Sequence, residues 1–253
     1  WIQVMSSLLA DVVAFNSAFN MHSFLGAIDG FMRRIPDPEQ RVLGLAERIR
    51  PKCRVLYFPL TLCPRLPPQG DTADPARRLR IVWNHRWEYD KGPDRFFSAL
   101  NLLKKTGVSF TVDVLGQQFR QIPPSFAAAR KQLEENIQRW GFVPREEYLR
   151  ALSEADVVIS TALHEFQGLA VLEAVSAGCV PVVPDRLSYQ EIIPIEYRYP
   201  SCDNVDEEAR GLASILEGYG RNGLPDLNCA DMVHGYLWER LIPKYRTVLK
   251  RLC

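Results

Sequence analysis

Two glutamates, Glu165 and Glu173, stand with seven residues between them in a segment that could bind a phosphorylated ligand. The segment follows a short apolar run that is typical of a buried strand, and it continues into a predicted helix, Leu169–Ala177. A helix that starts at the carboxyl edge of a parallel sheet presents free N–H groups, and its dipole favours an anion there. We therefore predict that the N–H groups of Gly168 and Leu169 face a phosphate. Gly168 allows close approach because it has no side chain.

Both glutamates also have a structural interpretation. Glu173 lies among apolar neighbours, where an unpaired carboxylate is costly. Two ribose hydroxyls would satisfy this carboxylate, and so would a nearby arginine or backbone amide. Glu165 could bind sugar hydroxyls, act as a base, or cap the helix. The adjacent His164 is a further candidate for donor contact, although a single histidine more often packs or hydrogen-bonds than touches substrate.

A pair of cations follows another predicted strand. Arg86 and Lys91 lie in the loop before a helix that Gly92 and Pro93 would open. The guanidinium offers a planar fork for phosphate oxygens and the ammonium a point charge, so the pair suits a diphosphate. The alternative is that both are surface cations paired with Glu88 and Asp90, as many exposed charges are.

A third loop, at Gly141, Phe142 and Val143, could cover a nucleotide base with its aromatic side chains. The glycine and the following Pro144 indicate a sharp turn. The neighbouring Trp140 is equally well explained as a core residue.

The elements that would position these loops alternate between strands and helices. Short, continuous apolar runs are typical of strands buried on both faces of a parallel sheet. The predicted strands are Val12–Phe15, Val55–Phe58, Ile81–Asn84, Phe110–Leu115, Val157–Ser160 and Val180–Val183. The predicted helices are Pro93–Lys105, Ser125–Arg139, Arg145–Ala155, Leu169–Ala177 and Tyr236–Leu252. Repeated strand–helix units indicate an α/β, Rossmann-like, doubly wound fold.

A proline-rich stretch, Pro64–Pro75, divides the chain. We predict the end of a first domain over residues 1–62, a linker over 63–77, a second domain over 78–235 and a closing helix over 236–253. The chain begins with Trp1 and strand-like sequence, which is typical of a piece of a longer protein. The apolar start lacks the basic residues of a signal peptide.

Composition narrows the class of protein. The 31 basic and 30 acidic residues leave a net charge of +1, so overall charge shows no basic excess for nucleic-acid binding. Six cysteines without a CxxC pair disfavour a zinc site and a disulfide scaffold. No apolar run is long enough for a membrane span. We expect a cytoplasmic protein with no membrane partner, with the nucleus as a second compartment, and no feature of the sequence indicates an oligomeric state.

Together these segments resemble the retaining, GT-B-fold glycosyltransferases that use nucleotide sugars. The family's E-x7-E motif matches HEFQGLAVLE, its R-x4-KG pattern matches the segment of Arg86 and Lys91, and its base-binding turn resembles GFVPREEYLRALSEADVVIST. ADVVAFNSAFN and VLYFPL look like the end of the family's N-terminal, Rossmann-like acceptor domain. The sequence departs from the family at Phe166 and Gln167, and at residues 185–191, where a glycine-rich turn is usual.

The resemblance implies a role for each candidate residue. Arg86 and Lys91 would stabilise the departing diphosphate, with help from the N–H groups of Gly168 and Leu169. Glu165 would hold the transferred sugar and Glu173 the ribose. Residues 141–143 would bind the base. No metal or other cofactor is expected, because the two cations replace it.

More narrowly, WNHRWEYDKGPDRFF and HEFQGLAVLEA resemble the branch of the family that modifies queuosine in tRNA. This resemblance implies GDP-mannose as the donor and the anticodon of an aspartate tRNA as the acceptor. Two alternatives remain at this level: a nucleotide-sugar-binding fragment without turnover, and a non-enzymatic α/β interaction domain.

Overall fold

The computed structural model describes residues 1–37, 39, 41–63, 78–226 and 228–250, without the side chains of 229 and 230. The first part of the chain contains α1 (Ile2–Leu9), β1 (Val13–Phe15), α2 (Ala18–Met32), α3 (Leu45–Ile49) and β2 (Cys53–Val55). Next come β3 (Leu79–Asn84), α4 (Pro93–Lys105), β4 (Phe110–Leu115), α5 (Pro124–Gln132), β5 (Ile137–Gly141), α6 (Arg145–Glu154) and β6 (Val157–Ile159). The last elements are α7 (Leu169–Ser176), β7 (Val180–Pro184), α8 (Tyr189–Ile192), β8 (Arg198–Tyr199), α9 (Val205–Asn222), α10 (Cys229–His234) and α11 (Trp238–Leu249).

The chain divides into two compact units. The first unit comprises Trp1–Pro59 and Gly235–Cys253, and the second comprises Leu60–His234. The C-terminal helix α11 therefore belongs with the N-terminal segment. The predicted linker over residues 63–77 lies outside the described residues except for Cys63, which is buried and whose N–H donates to Ser176 Oγ at 3.0 Å.

In the first unit, α2 packs its apolar face over a small parallel pair of strands. Strands β1 and β2 align Val13 with Cys53. Helix α2 is capped by Ser17, whose hydroxyl accepts the N–H of Asn20 at 2.9 Å. The core is formed by side chains from α2, α3 and both strands, among them Phe15, Leu25, Ile28, Met32, Ile49 and Cys53.

The second unit is built on a six-stranded parallel sheet in the order β5-β4-β3-β6-β7-β8. Every residue of β4, β6 and β7 is buried, which explains their continuous apolar sequences. The strand order reverses direction along the chain at β3 and β6. The loops that follow these two strands therefore meet at the carboxyl edge of the sheet, where α/β proteins bind ligands.

The helix predicted over Ser125–Arg139 is wrong in its second half. Helix α5 ends at Gln132, and the chain then forms β5, which pairs with β4. The Arg139 guanidinium donates to Asp113 of β4 at 2.9 Å and to Glu154 of α6 at 2.6 Å. These partners are distant in sequence, and they override the local preference for a continued helix.

Two predictions for the first unit also need correction, and one strand of the second unit was missed. The strand-like start of the chain is the helix α1, and the strand predicted over Val55–Phe58 lies earlier, in β2. The ladder extends only one residue further, through the N–H of Leu56 to Phe15 O at 2.7 Å. The short edge strand β8 was not predicted.

Phe126 tests how the aromatic core supports the sheet. Its ring stacks on Trp87 at 4.1 Å and contacts Phe97 at 5.1 Å, and its side chain is 2% exposed. Phe126→Ala should lower the free energy of unfolding by about 3–5 kcal/mol, because it leaves a cavity among rings. The control is Phe142→Ala, since Phe142 is 75% exposed. Urea denaturation measures both; equal losses in the two variants would contradict the packing described.

Candidate functional site

Lys91 lies buried where the loops after β3 and β6 meet. Its side chain is 9% exposed, and its ammonium lies 3.3 Å from Glu165 Oε2 and 3.4 Å from Asp90 Oδ2. It also donates to the backbone oxygen of His164 at 2.8 Å. The structure therefore brings together Lys91 and Glu165, two candidates that are far apart in the sequence.

The second oxygen of Glu165 is bound by backbone. Its Oε1 accepts the N–H groups of Phe166 at 3.0 Å, Gln167 at 3.3 Å and Gly168 at 3.0 Å. Burial raises the pKa of Glu165. The Lys91 charge and the N–H donors of Gly168 and Gln167 lower it by more than burial raises it, so the pKa lies below the ordinary value. Glu165 is therefore held as a carboxylate.

This arrangement corrects the expectation of a free N–H at Gly168. That N–H donates to the carboxylate of Glu165, so Glu165 caps the start of α7, as one of its three alternatives stated. The N–H of Leu169, the first helical residue, has no such carboxylate bond among the described contacts. A diphosphate could therefore reach the helix start at Leu169 without displacing Glu165.

Gly168 is required for its backbone shape and for space. Its φ is +68°, in the left-handed region. A Cβ here would lie 2.9 Å from Tyr189 Cε1 and 3.1 Å from Ile192 Cδ1. Tyr189 is buried and its hydroxyl donates to Ser160 Oγ at 2.7 Å, so it has little room to move.

The loop after β7, which departs from the family's glycine-rich turn, is anchored by a buried carboxylate. Arg186 donates to both oxygens of Glu208, at 2.7 Å each, and Glu208 is 1% exposed. Arg95 of α4 reaches the same carboxylate at 3.2 Å. The next residue, Leu187, has φ of +60°, which is unusual for a residue other than glycine. The loop is therefore held in place by ion pairs.

Glu173 projects from α7 toward α6. Its Oε1 lies 3.0 Å from Arg145 Nη2, and its Oε2 accepts the hydroxyl of Tyr148 at 2.8 Å. Asn84 at the end of β3 donates to the same hydroxyl at 3.0 Å. Burial, followed by the Glu173 charge, raises the pKa of Tyr148 well above its ordinary value, so Tyr148 stays a donor. The alternative of an arginine partner for Glu173 is thus observed.

A cavity of about 250 Å³ opens beside this group of side chains. It lies at the carboxyl ends of β3 and β4 and at the start of α6, and it is lined by Asn84, Leu115, Gly116, Gln117, Phe142, Val143, Arg145 and Tyr148. The predicted loop residues Phe142 and Val143 are therefore in its wall, and Phe142 is largely exposed. Gly141, the third predicted residue of this loop, immediately precedes Phe142 and has a φ of +104°.

Trp140 is a core residue, which was the alternative to a role in covering the base. Its ring lies 5.1 Å from Trp87 and 6.0 Å from Phe97, within the aromatic core. It does not line the cavity.

Arg86 and His164 are more exposed than the other candidates. The Arg86 guanidinium lies 2.8 Å from the Glu88 carboxylate and 3.9 Å from that of Asp90, which is the surface ion pairing that the sequence offered as the alternative to phosphate binding. The Arg86 side chain is 53% exposed. An exposed pair contributes only about 0–1 kcal/mol, so Arg86 can exchange Glu88 for a phosphate at little cost. His164 is exposed and its ring contacts Phe166 at 4.5 Å.

Three residues that the sequence did not single out belong to the site: Arg145, Tyr148 and His85. Arg145 and Tyr148 are three residues apart, a spacing that places both on one face of α6, and this signal was available in the sequence. His85 is 3% exposed, and within the described ranges its Nε2 has no hydrogen-bond partner. Burial lowers the pKa of His85 to about 4, and the nearby Lys91 charge also lowers it, while Glu165 opposes the change. Its sequence position gave no sign of this burial.

Among the residues described, no three His, Cys, Asp or Glu side chains are grouped so that they could hold a metal ion. No helix in the described ranges is both long enough and apolar enough to cross a membrane.

Two family models match the sequence of this chain. The family model "Glycosyl transferases group 1" matches residues 71–222, and the model "tRNA-queuosine alpha-mannosyltransferase N-terminal" matches residues 1–60. The chain belongs to the group 1 glycosyl transferases.

Individual relatives of this group 1 glycosyl transferase agree with both matches. It is 39% identical over 213 residues to the tRNA-queuosine alpha-mannosyltransferase of Drosophila melanogaster, covering 81% of this chain and 56% of that protein. It is 28% identical over 187 residues to a GDP-mannose:cellobiosyl-diphosphopolyprenol alpha-mannosyltransferase of Xanthomonas oryzae, covering 70% of this chain and 47% of the other. The chain thus spans about half the length of these relatives.

Solved structures show the same fold. The pneumococcal O-GlcNAc transferase in complex with UDP and GlcNAc matches with a TM-score of 0.71 at 16% identity, over 99% of this chain and 47% of its own. The sucrose-phosphate synthase of Thermosynechococcus elongatus matches with a TM-score of 0.66 at 18% identity, over 99% of this chain and 60% of its own. The predicted GT-B, Rossmann-like α/β fold is confirmed.

Gly168→Ala should damage the site, because the new methyl group needs a left-handed backbone and collides with Tyr189. We expect a loss of about 1–3 kcal/mol in the free energy of unfolding. The control is Gly211→Ala inside α9, where nothing lies within 4 Å of a built Cβ and alanine should stabilise by about 0.5–1 kcal/mol. Thermal denaturation of both variants gives the answer, and a neutral Gly168→Ala would refute the described contact.

His85 should make stability depend on pH. The unfolded imidazole binds a proton near pH 6.5 and the folded one near pH 4, so stability rises with pH across this window. Lowering the pH from about 6.5 to about 4 should remove up to about 3 kcal/mol of unfolding free energy. His85→Gln should flatten this dependence in urea titrations at each pH, whereas His164→Gln, an exposed control, should keep it. An unchanged slope in His85→Gln would disprove the assignment.

Proposed function

We propose that this chain carries the donor site of a retaining glycosyltransferase that transfers mannose to queuosine in tRNA. One observation carries the proposal. The cavity of about 250 Å³ at the carboxyl ends of β3 and β4 adjoins Glu173, while the buried Lys91–Glu165 pair lies on the loops after β3 and β6. These are the positions at which an α/β sheet binds a nucleotide and its phosphates. The relationship to the Drosophila enzyme supports the choice of sugar and acceptor.

The cavity would hold the nucleoside. Phe142 and Val143 offer apolar surface to a base, and Glu173 would accept hydrogen bonds from the two ribose hydroxyls. To do so it exchanges Tyr148 or Arg145 for the ribose, and Arg145 is more than half exposed and therefore free to move. The released guanidinium could then turn to a phosphate.

The leaving group would be stabilised by charges already in place. When the anomeric carbon separates from the diphosphate oxygen, negative charge collects on the diphosphate and positive charge on the sugar. Lys91 and Arg86 would offset the first, together with the N–H of Leu169. Glu165 is fixed as a carboxylate by Lys91 and by backbone, so it would accept sugar hydroxyls. The acceptor hydroxyl would attack the face that the diphosphate leaves, and its proton would pass to the leaving phosphate oxygen.

GDP-mannose is the proposed donor and an aspartate tRNA the proposed acceptor. The Xanthomonas relative is named for GDP-mannose, and the Drosophila relative for tRNA-queuosine. A tRNA acceptor fits a cytoplasmic location, with the nucleus as a second compartment. We propose that the two cations replace a metal, so that no cofactor is required.

Mannose transfer tests the reaction itself. Incubation with GDP-mannose labelled in the sugar should label tRNA that contains queuosine and leave the same tRNA without queuosine unlabelled. Saturable GDP binding without any transfer would instead indicate a nucleotide-sugar-binding module. Equal affinity for GDP, UDP and ADP in calorimetric titrations would overturn the proposed donor.

Glu173 provides the sharpest test of the nucleoside site. We expect 2′-deoxy-GDP to bind about tenfold more weakly than GDP, because a hydrogen bond to a charged group is lost. In Glu173→Gln the affinity for GDP should fall, and the discrimination between the two nucleotides should shrink. Glu146→Gln on the exposed face of α6 is the control and should behave like the unchanged chain. Full discrimination in Glu173→Gln would remove this residue from the ribose site.

A further inference from the structure

Another cavity, of about 540 Å³, lies between the loops that follow β3 and β4 in the second unit. It is lined by Glu88, Tyr89, Asp90, Phe119, Arg120 and Gln121. The two loops are joined by backbone, because the N–H of Trp87 donates to Gln117 O at 3.0 Å. Among the described residues, its wall shares no member with the wall of the nucleoside cavity. Its volume lies in the range of about 300–1,000 Å³ that small-molecule sites occupy.

Two exposed aromatic rings form part of this wall. Tyr89 is 60% exposed and Phe119 is 38% exposed. The two rings come from different loops, one after β3 and the other after β4. Aromatic rings that face solvent in a cavity offer a stacking surface, and every nucleobase has a π face that can use it.

The polar part of the wall carries both signs of charge. The side chains of Glu88 and Asp90 are 33% and 31% exposed. Arg120 is exposed, and in the described part of the chain it forms no ion pair. A cationic group of a ligand could therefore bind the carboxylates, and a phosphate could bind the guanidinium.

The two carboxylates also contact the cations of the donor site. Glu88 lies 2.8 Å from Arg86, and Asp90 lies 3.4 Å from Lys91. The backbone oxygen of Asp90 accepts the N–H of Leu163 at 2.7 Å, which ties this loop to the loop after β6. A molecule in the cavity would therefore lie beside the groups that hold the departing diphosphate.

The groups around the cavity complement the parts of queuosine, the acceptor in the proposed function. Queuosine is a deazaguanine nucleoside whose base carries a cyclopentenediol through a secondary amine, and this amine is protonated at neutral pH. The rings suit the base, since proteins that recognise single-stranded RNA stack unpaired bases on aromatic side chains. The carboxylates suit the ammonium. The diol, beyond the ammonium, would then be the part nearest the donor.

We propose that this cavity, which we call the acceptor cavity, binds the queuosine base of the RNA. The inference rests on the proposed function, and it adds the residues that hold the acceptor. Tyr89 and Phe119 stack on the base, Glu88 binds the ammonium, and Arg120 binds a neighbouring phosphate.

Donor binding prepares the acceptor cavity. When Arg86 exchanges Glu88 for a phosphate, Glu88 loses its partner and can bind the ammonium without competition. The affinities for GDP and for the queuosine RNA are therefore coupled, and the coupling is the same in both directions.

RNA binding tests the acceptor cavity. Two labelled stem–loops, which differ only in carrying queuosine or guanosine at one loop position, are titrated with the chain by fluorescence anisotropy, with and without GDP. The queuosine RNA should bind about tenfold more tightly, because it adds a hydrogen bond between charged groups. GDP should widen this ratio about fivefold.

Three variants assign the residues. Tyr89→Ala and Phe119→Ala should each weaken the binding of both RNAs about tenfold, because a base loses a stacking partner. Glu88→Gln should instead leave the guanosine RNA unchanged and remove the preference for queuosine, a result that general damage to the loop would not give. GDP binding, measured by calorimetry in parallel, shows that each variant keeps its donor site.

The matched control for the rings is Ile122→Ala. Ile122 lies in the same loop as Phe119 and is equally exposed, at 38%, but it is not among the described residues that line the acceptor cavity. Glu135→Gln, at an exposed carboxylate outside that lining, controls for the loss of charge. Both controls should bind the two RNAs like the unchanged chain.

Several outcomes overturn the inference. They are an equal loss in Ile122→Ala, no loss in either ring variant, a preference for queuosine that persists in Glu88→Gln, and equal or absent binding of the two RNAs by the unchanged chain. A second GDP per chain that is lost in Phe119→Ala would give the cavity to a nucleotide and overturn it too. If GDP binds and only the RNA results fail, the donor site stands. If the RNA results hold but labelled mannose is not transferred, the proposed function fails instead.

Discussion

The buried ammonium of Lys91 needs a negative partner, and Glu165 supplies it from a position 74 residues further along the chain. An ammonium cannot be buried at this depth unless it is paired and hydrogen-bonded. The pair joins the loops after two neighbouring strands, β3 and β6. The start of α7 and the orientation of Glu165 depend on this contact, whereas the lowered pKa of His85 comes first from burial, with the two charges acting on it in opposite directions.

A second carboxylate also joins separate elements by ion pairs, deeper in the same unit. Glu208 binds two guanidinium groups, one from the loop after β7 and one from α4. The two buried carboxylates differ in purpose. Glu208 is almost wholly enclosed and joins elements, while Glu165 is partly accessible and borders the space where a ligand would lie.

Much of the second unit could be predicted because its strands are buried on both faces. Their apolar runs are continuous, and the glycines and prolines that follow mark the helices. The strand β5 could not be predicted, since it is an edge strand whose place depends on Arg139 reaching Asp113 and Glu154. The motifs likewise located Lys91 and Glu165 but could not tell that Glu165 binds the N–H of Gly168. That depends on the side-chain torsion angles of one residue, which no spacing reveals.

The contacts of Glu165 also differ in how much chain they close. The three N–H groups that hold its Oε1 belong to the next three residues, so this cap closes a loop of only a few bonds and costs little chain entropy. The contact with Lys91 joins residues 74 positions apart, so it closes a much longer loop and costs more chain entropy. The shape of the chain at the start of α7 therefore rests on local contacts. The ion pair instead requires β3 and β6 to be paired, because its two members lie on the loops that follow these strands.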